Sequence, residues 1–131
     1  MAKKNTPPKE APQEARRYSA RLLFQFRVVV DGDSGKRRLC EERIIVFTAA
    51  NARAALREAK KRGRKANFSS KEAGHNPWHF EFVGVLDLLY LGPECEEGEV
   101  WYDIVERLTP MERRASLIPP EEKLNAILNN D

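Results

Sequence analysis

The stretch Phe80-Glu81-Phe82-Val83-Gly84-Val85-Leu86-Asp87-Leu88-Leu89-Tyr90-Leu91-Gly92 reads as one long strand, and the way it is read decides the fold. Its aromatic, β-branched and leucine side chains mark a segment buried along most of its length. Two residues do not fit a plain strand. Glycine inside a strand forfeits packing and marks a bulge or the close approach of another backbone or ligand. Asp87, set among Val85, Leu86, Leu88 and Leu89, needs either solvent or a partner, because an unpaired buried carboxylate is costly.

The rest of the chain supplies partners for this strand. Residues Tyr18, Ala20, Leu22, Phe24, Phe26, Val28 and Val30 alternate with polar ones, so a strand is expected from Tyr18 onward. Asp31-Gly32-Asp33-Ser34-Gly35 provides a turn, and a return strand over residues 37–48 carries Ile44, Ile45 and Val46. A turn centred on Ser34 would set Arg27 opposite Glu41 and Gln25 opposite Arg43. A helix follows, capped by Asn51 and closed by Gly63, with Ala52, Ala55, Leu56 and Ala59 on its apolar side. Residues 64–77 read as a polar connection. After the acidic loop at 92–98, residues 99–108 carry Val100, Trp101, Tyr102, Ile104 and Val105 and are expected to pair with the 78–90 strand as a second hairpin. Thr109-Pro110 opens a C-terminal extension, in which Leu124, Ile127 and Leu128 form a weak helix expected to pack on the sheet.

The expected architecture is α+β: two β-hairpins forming a four-stranded antiparallel sheet, ββαββ, covered by one helix, with a weak C-terminal helix. The expected organisation is a disordered basic tail over 1–17, a domain over 18–108 and a helical extension over 109–131. Phe24, Phe26, Leu56, Phe82, Leu86 and Trp101 are the expected core. A chain of 131 residues and 15.0 kDa fits one such domain without disulfide staples.

Charge is divided unevenly. Residues 1–17 hold five lysines and arginines against two glutamates, while the remainder holds 18 cations and 18 anions. The excess of +3 therefore sits in the head, and a neutral body argues against a broad phosphate-binding surface. No apolar run approaches the roughly 20 residues that span a bilayer, and the start lacks the apolar core of a secretory signal, so a cytoplasmic location is expected. Cys40 and Cys95 are read as reduced thiols.

The segments Tyr18-Ser19-Ala20-Arg21-Leu22-Leu23-Phe24, Glu41-Glu42-Arg43, Phe82-Val83-Gly84-Val85-Leu86-Asp87-Leu88 and Glu99-Val100-Trp101-Tyr102-Asp103-Ile104 together resemble an uncharacterised family of small bacterial domains of unknown function. The resemblance spans residues 18–105. It implies a bacterial, cytoplasmic, stand-alone protein, and it carries over no catalytic residue.

Candidate sites follow from residues that break local rules. Gly84 marks a bulge that bends the sheet, or a point where a ligand approaches. Asp87 either faces solvent or pairs with Arg21 or Arg43; alternatively these residues line a cleft that holds an anionic ligand. Arg53, Arg57, Lys60, Lys61, Arg62, Arg64 and Lys65 make a basic helix end opposed only by Glu58. Cations there complement the helix dipole, or they recognise phosphate or an acidic surface. His75 and His79 have helical metal-site spacing, but Gly74 and Pro77 forbid the helix, so no metal is expected. Cys95 among Glu94, Glu96, Glu97 and Glu99 is a poor nucleophile, and Cys40 is expected to be a small buried side chain.

The leading functional expectation is a non-catalytic binding or adaptor protein, without a cofactor, that recognises a protein partner or a nucleic acid through its sheet edge or the basic helix end. The candidate contact residues are Arg21, Arg43, Gly84, Asp87, Arg57, Lys61, Arg64 and Lys65. Rivals are a toxin-neutralising protein of the immunity or antitoxin kind, a nucleic-acid-associated protein using the basic helix and tail, and an enzyme with a cleft at Gly84 and Asp87. A membrane partner is not expected, and the chain is read as a monomer or homodimer.

Overall fold

The computed structural model describes residues 15–70, 76–93 and 95–130. The expected tail over 1–14, His75 and Gly74 lie outside these. Strand β1 (Arg16–Val28) is followed by β2 (Cys40–Ala49), helix α1 (Ala52–Lys65), the three-residue β3 (Phe68–Ser70) and β4 (Trp78–Tyr90). The sheet is four-stranded and antiparallel, in the order β2-β1-β4-β3. The α+β class and the ββαββ order follow the sequence reading.

Alternation along β1 sorts its side chains cleanly between two faces. Tyr18, Ala20, Leu22 and Phe24 are buried beneath α1 with Phe47 and Phe80, while Phe26, Phe82 and Val85 pack around them. The helix closes on this face with small residues: Ala55, Ala59 and Gly63 are its buried positions, four apart. Asn51 caps it, its side chain accepting from the Ala54 N–H at 2.9 Å. Contrary to expectation Gly63 does not end the helix, which runs on to Lys65 and is capped at Ala66. Its role is spatial, since a Cβ at Gly63 would overlap the ring of Phe82.

Three expectations are corrected. First, the hairpin turn sits on Asp31-Gly32. Val30 and Asp33 exchange backbone hydrogen bonds at 2.9 and 3.0 Å, and the positive φ of Asp31 (53°) and Gly32 (78°) makes this a type I′ turn. Residues 34–39 then face only residues 26–29, an excess of two on the returning side, and the ladder resumes with the Phe26 N–H donating to the Leu39 carbonyl at 2.8 Å. Gln25 therefore pairs with Cys40, Phe24 with Glu41 and Leu22 with Arg43. A slip of three positions from the expected register puts Glu41 and Arg43 on the helix-covered face. Arg43 bonds Glu41 there and lies 4.6 Å from the Phe24 ring centre.

Second, residues 99–108 form no strand; β4 is flanked instead by β3, drawn from the stretch read as a polar connection. Where β3 stops, the Asn67 side chain takes over and accepts the Phe82 N–H at 2.6 Å. Third, Leu86 is not core. The β1–β4 ladder runs Arg21–Asp87, Leu22–Val85, Leu23–Gly84, Phe24–Phe82, so Leu86 and Val83 are each extra residues on β4. These two bulged side chains are exposed, at 48 % and 56 %. Gly84 lies between them.

The uncovered face carries its own lock. Glu81, paired with Gln25, accepts from Gln25 Nε2 at 2.9 Å and binds the Arg27 guanidinium with both carboxylate oxygens at 3.0 and 2.9 Å. Arg27 and Gln25 hold the Glu81 carboxyl at about 2, below its ordinary 4.5. This stabilisation is complete above pH 4.5 and disappears as pH falls through 4.5 toward 2. Because both side chains are partly exposed, solvent screening keeps the contribution of the pair small. Glu81→Gln is expected to lower the urea midpoint slightly at pH 7 and to flatten the acid limb of the stability curve, as read by urea titration at several pH values. Gly63→Ala is expected to destabilise by about 1–3 kcal/mol despite its better helix propensity, because the Phe82 ring must move. A thermal melt that rose for this variant would contradict the packing assigned to the helix.

Candidate binding surfaces

Arg21, Gly84 and Asp87 come together as expected, on the sheet face opposite α1. Arg21 stands directly across from Asp87, and Gly84 is next but one along the ladder. Asp87 is exposed, its Oδ1 accepts from the Leu88 N–H at 2.8 Å, and no ion pair joins it to Arg21. The expected desolvated carboxylate of an enzyme cleft is thus absent from this position. Arg43 does not join the group, because the register places it on the other face. A Cβ added at Gly84 meets nothing within 4 Å, so the glycine serves the irregular ladder and leaves open space above it.

What Arg21 does contact is Trp101, whose ring centre lies 4.8 Å from its guanidinium carbon. The neighbouring Arg17 is more deeply engaged. Its guanidinium donates to the carbonyls of Glu96 at 2.8 Å, Glu97 at 3.0 Å and Glu99 at 2.7 Å, and approaches Cys95 Sγ at 3.6 Å. One side chain thereby organises the turn after β4 and carries the following segment across the uncovered face. Arg17 was expected to end the tail, whereas β1 already includes it. The available signal was that Arg17, Arg21 and Arg27 fall on one face of an alternating strand.

Of the two thiols, Cys95 is disfavoured as a nucleophile. A hydrogen bond to the Glu99 carboxylate, helped by burial, pushes the Cys95 thiol above its ordinary range, as its acidic surroundings imply. Cys40 is exposed rather than buried, because the corrected register turns it away from the helix. His79 Nδ1 sits 2.6 Å from Ser69 Oγ across the β3–β4 pair. Among the described residues no cluster of His, Cys, Asp or Glu could hold a metal ion, and no helix is long and apolar enough to cross a membrane.

Arg57, Lys61, Arg64 and Lys65 are all exposed on α1, and with Arg53 and Lys60 they form one outward ridge. The first turn of α1 contains no acidic residue. Arg62, Arg64 and Lys65 complement the helix dipole in the last turn, but Arg53 and Arg57 lie in its first half, where cations oppose it. Each like-charged pair four apart, such as Arg57 with Lys61, costs about 0.2–0.5 kcal/mol. Glu58 offers partial relief: it bonds Arg62 at 2.8 Å and is held below the usual carboxylate range chiefly by it, with weaker attraction from Lys61 and Lys65.

Beyond Trp101 the chain becomes an arm. Residues 102–107 are without regular structure, followed by α2 (Arg114–Leu117), a 3-10 turn (Glu121–Lys123) and α3 (Asn125–Asn130). None of these three elements approaches the sheet or α1; α3 touches only the 3-10 turn. The expected packing of Leu124, Ile127 and Leu128 on the sheet is not formed, and all three are exposed. So are Ile104, Val105, Leu108, Met111 and Ile118, at 65–91 %. Pro110, Met111, Leu117 and Ile118, with Arg107 and Arg114, line a mixed hollow within the arm.

No curated protein and no solved structure matches the chain. A family model does match, over residues 17–101, which include the whole sheet, α1, Arg17 and Trp101. With most of its length covered by that model, the chain belongs to the family described as domain of unknown function DUF4288.

Proposed function

We propose that this protein is a small bacterial, cytoplasmic binding module that performs no chemistry of its own and engages a protein partner through the arm over residues 100–128. The bacterial assignment rests on the family resemblance; two thiols left unbridged accord with a reducing compartment. The observation that carries the reading is the arm's exposed apolar series, in which Ile104, Val105, Leu108, Met111 and Ile118 are each at least 65 % exposed.

Apolar surface in a continuous run marks an interaction site, whereas isolated exposed leucines do not. Ordering the residues beyond Trp101 costs about 1–2 kcal/mol each in backbone entropy, and an arm whose helical elements touch neither the sheet nor α1 recovers little of that. A partner's surface supplies the missing burial. The segment from Val100 to Leu108 has strand composition without a strand partner, which suits addition to the edge of another protein's sheet. Arg17 fixes where the arm leaves the domain, so the exit geometry is set before any partner arrives.

The test is a paired substitution, Ile104→Asp with Leu108→Asp, in the full chain. The melting temperature should barely change, because both side chains are solvent-exposed. A protein that co-purifies in stoichiometric amount with the wild type should bind the variant about thirtyfold more weakly, as expected for loss of interface anchors. Equal retention of that protein by both chains would refute the arm's role, and unfolding of the variant would show instead that the arm belongs to this domain's own core.

A further inference from the structure

We infer that the outward ridge of α1 is a second binding surface, which takes the phosphate backbone of a nucleic-acid duplex without reading its sequence. The ridge comprises Arg53, Arg57, Lys60, Lys61, Arg64 and Lys65. At 3.6 residues per turn they fall within an arc of about 140°, centred opposite the buried Ala55, Ala59 and Gly63, and extend about 18 Å along the helix. All six side chains are exposed, and among the described residues none makes an ion pair or side-chain hydrogen bond.

Helix stability explains only part of the ridge. Arg64 and Lys65 complement the dipole, but Arg53 in the first turn opposes it, and four pairs of cations stand four residues apart: Arg53 with Arg57, Arg57 with Lys61, Lys60 with Arg64, and Lys61 with Lys65. A row of self-repelling charge is relieved by a row of opposite charge.

The ridge also indicates which kind of anion fits. Protein interfaces gather apolar and aromatic residues at their centre and are depleted in lysine. Between its cations this ridge holds only the small, half-buried Ala54, so any attraction it exerts is chiefly electrostatic. A single-stranded nucleic acid would call for aromatic platforms on which bases stack. Phe68, three residues beyond Lys65, is one half-exposed ring set edge-on to Trp78 at 5.1 Å, not a series of platforms. A straight cationic ridge without a row of aromatic rings matches the regular charge of a duplex. The neutral overall charge of the body is no obstacle, since on α1 itself Glu58 is the one anion, and others gather in the loop with Glu96, Glu97 and Glu99 and in the arm with Glu106, Glu112, Glu121 and Glu122.

Fluorescence anisotropy of the full chain with a labelled 20-base-pair DNA duplex tests the assignment. For four to six phosphate contacts, affinity should fall about 10²–10³-fold between roughly 50 and 200 mM salt. Arg57→Gln with Lys61→Gln should weaken binding at low salt about tenfold and make the log–log salt slope shallower by about 2. Its melting temperature should equal or exceed that of the wild type, because repulsion is relieved. Lys60→Gln with Arg64→Gln should repeat the result, so a folding defect in either variant is distinguished from lost contacts. Unchanged binding in both variants would assign the duplex to the basic head and overturn the inference. So would the absence of binding at low salt, preference for a single strand of equal length, or displacement of the duplex by polyglutamate at matched charge.

Discussion

The central position of β1 is the constraint from which the rest of this fold follows. Its thirteen residues pair on one side with β2 and on the other with β4, so its backbone donors and acceptors are satisfied internally and its side chains must serve two different faces. On one face Tyr18, Ala20, Leu22 and Phe24 require a cover, which the alanine-lined side of α1 supplies at close range. On the other face Arg17, Arg21 and Arg27 each find a different counterpart: loop carbonyls, an indole ring and a carboxylate. The turn after β4 and the departure of the arm are thus consequences of the arginines on β1.

Much of this was legible from residue types alone. Alternation in β1, β-branched residues in β2, the Asn51 cap and the apolar run of β4 identify their elements, because each is a local preference that the tertiary structure also satisfies. What was not legible depended on counting residues across a gap. Asp31-Gly32 and Ser34-Gly35 are both competent turns, and choosing between them shifts β2 by three places and moves Arg43 to the other face. The strand composition of residues 99–108 gave no hint that Arg17 would hold the preceding turn and divert the segment from β4. Conversely, Phe68-Ser69-Ser70 is too short to show a period, and only its position beside β4 makes it a strand.

The candidate surfaces divide in the same way. The cations of α1 are evident in sequence, and the helix merely aligns them. Of the residues grouped in sequence, Arg21, Gly84 and Asp87 are neighbours on one face and Arg43 is not, while the partner of Arg21 is Trp101, and a contact between residues eighty apart has no local signature. The ridge and the root of the arm lie on opposite sides of the sheet, one beyond α1 and the other under Arg17 and Arg21. Occupants of the two surfaces would not compete for space at the domain itself.

The two bulges of β4 also act on each other. One inserted residue would turn the remainder of the strand inside out, sending Leu88 and Tyr90 away from the helix side and Leu89 toward it. A second insertion three positions away restores the original sense, so Trp78, Phe80 and Phe82 before the pair, and Leu88 and Tyr90 after it, address the same layer. Length in this strand is consequently quantised: losing Val83 or Leu86 alone would invert half a strand, whereas losing both would merely straighten it, giving an ordinary ladder with the aromatic layer intact.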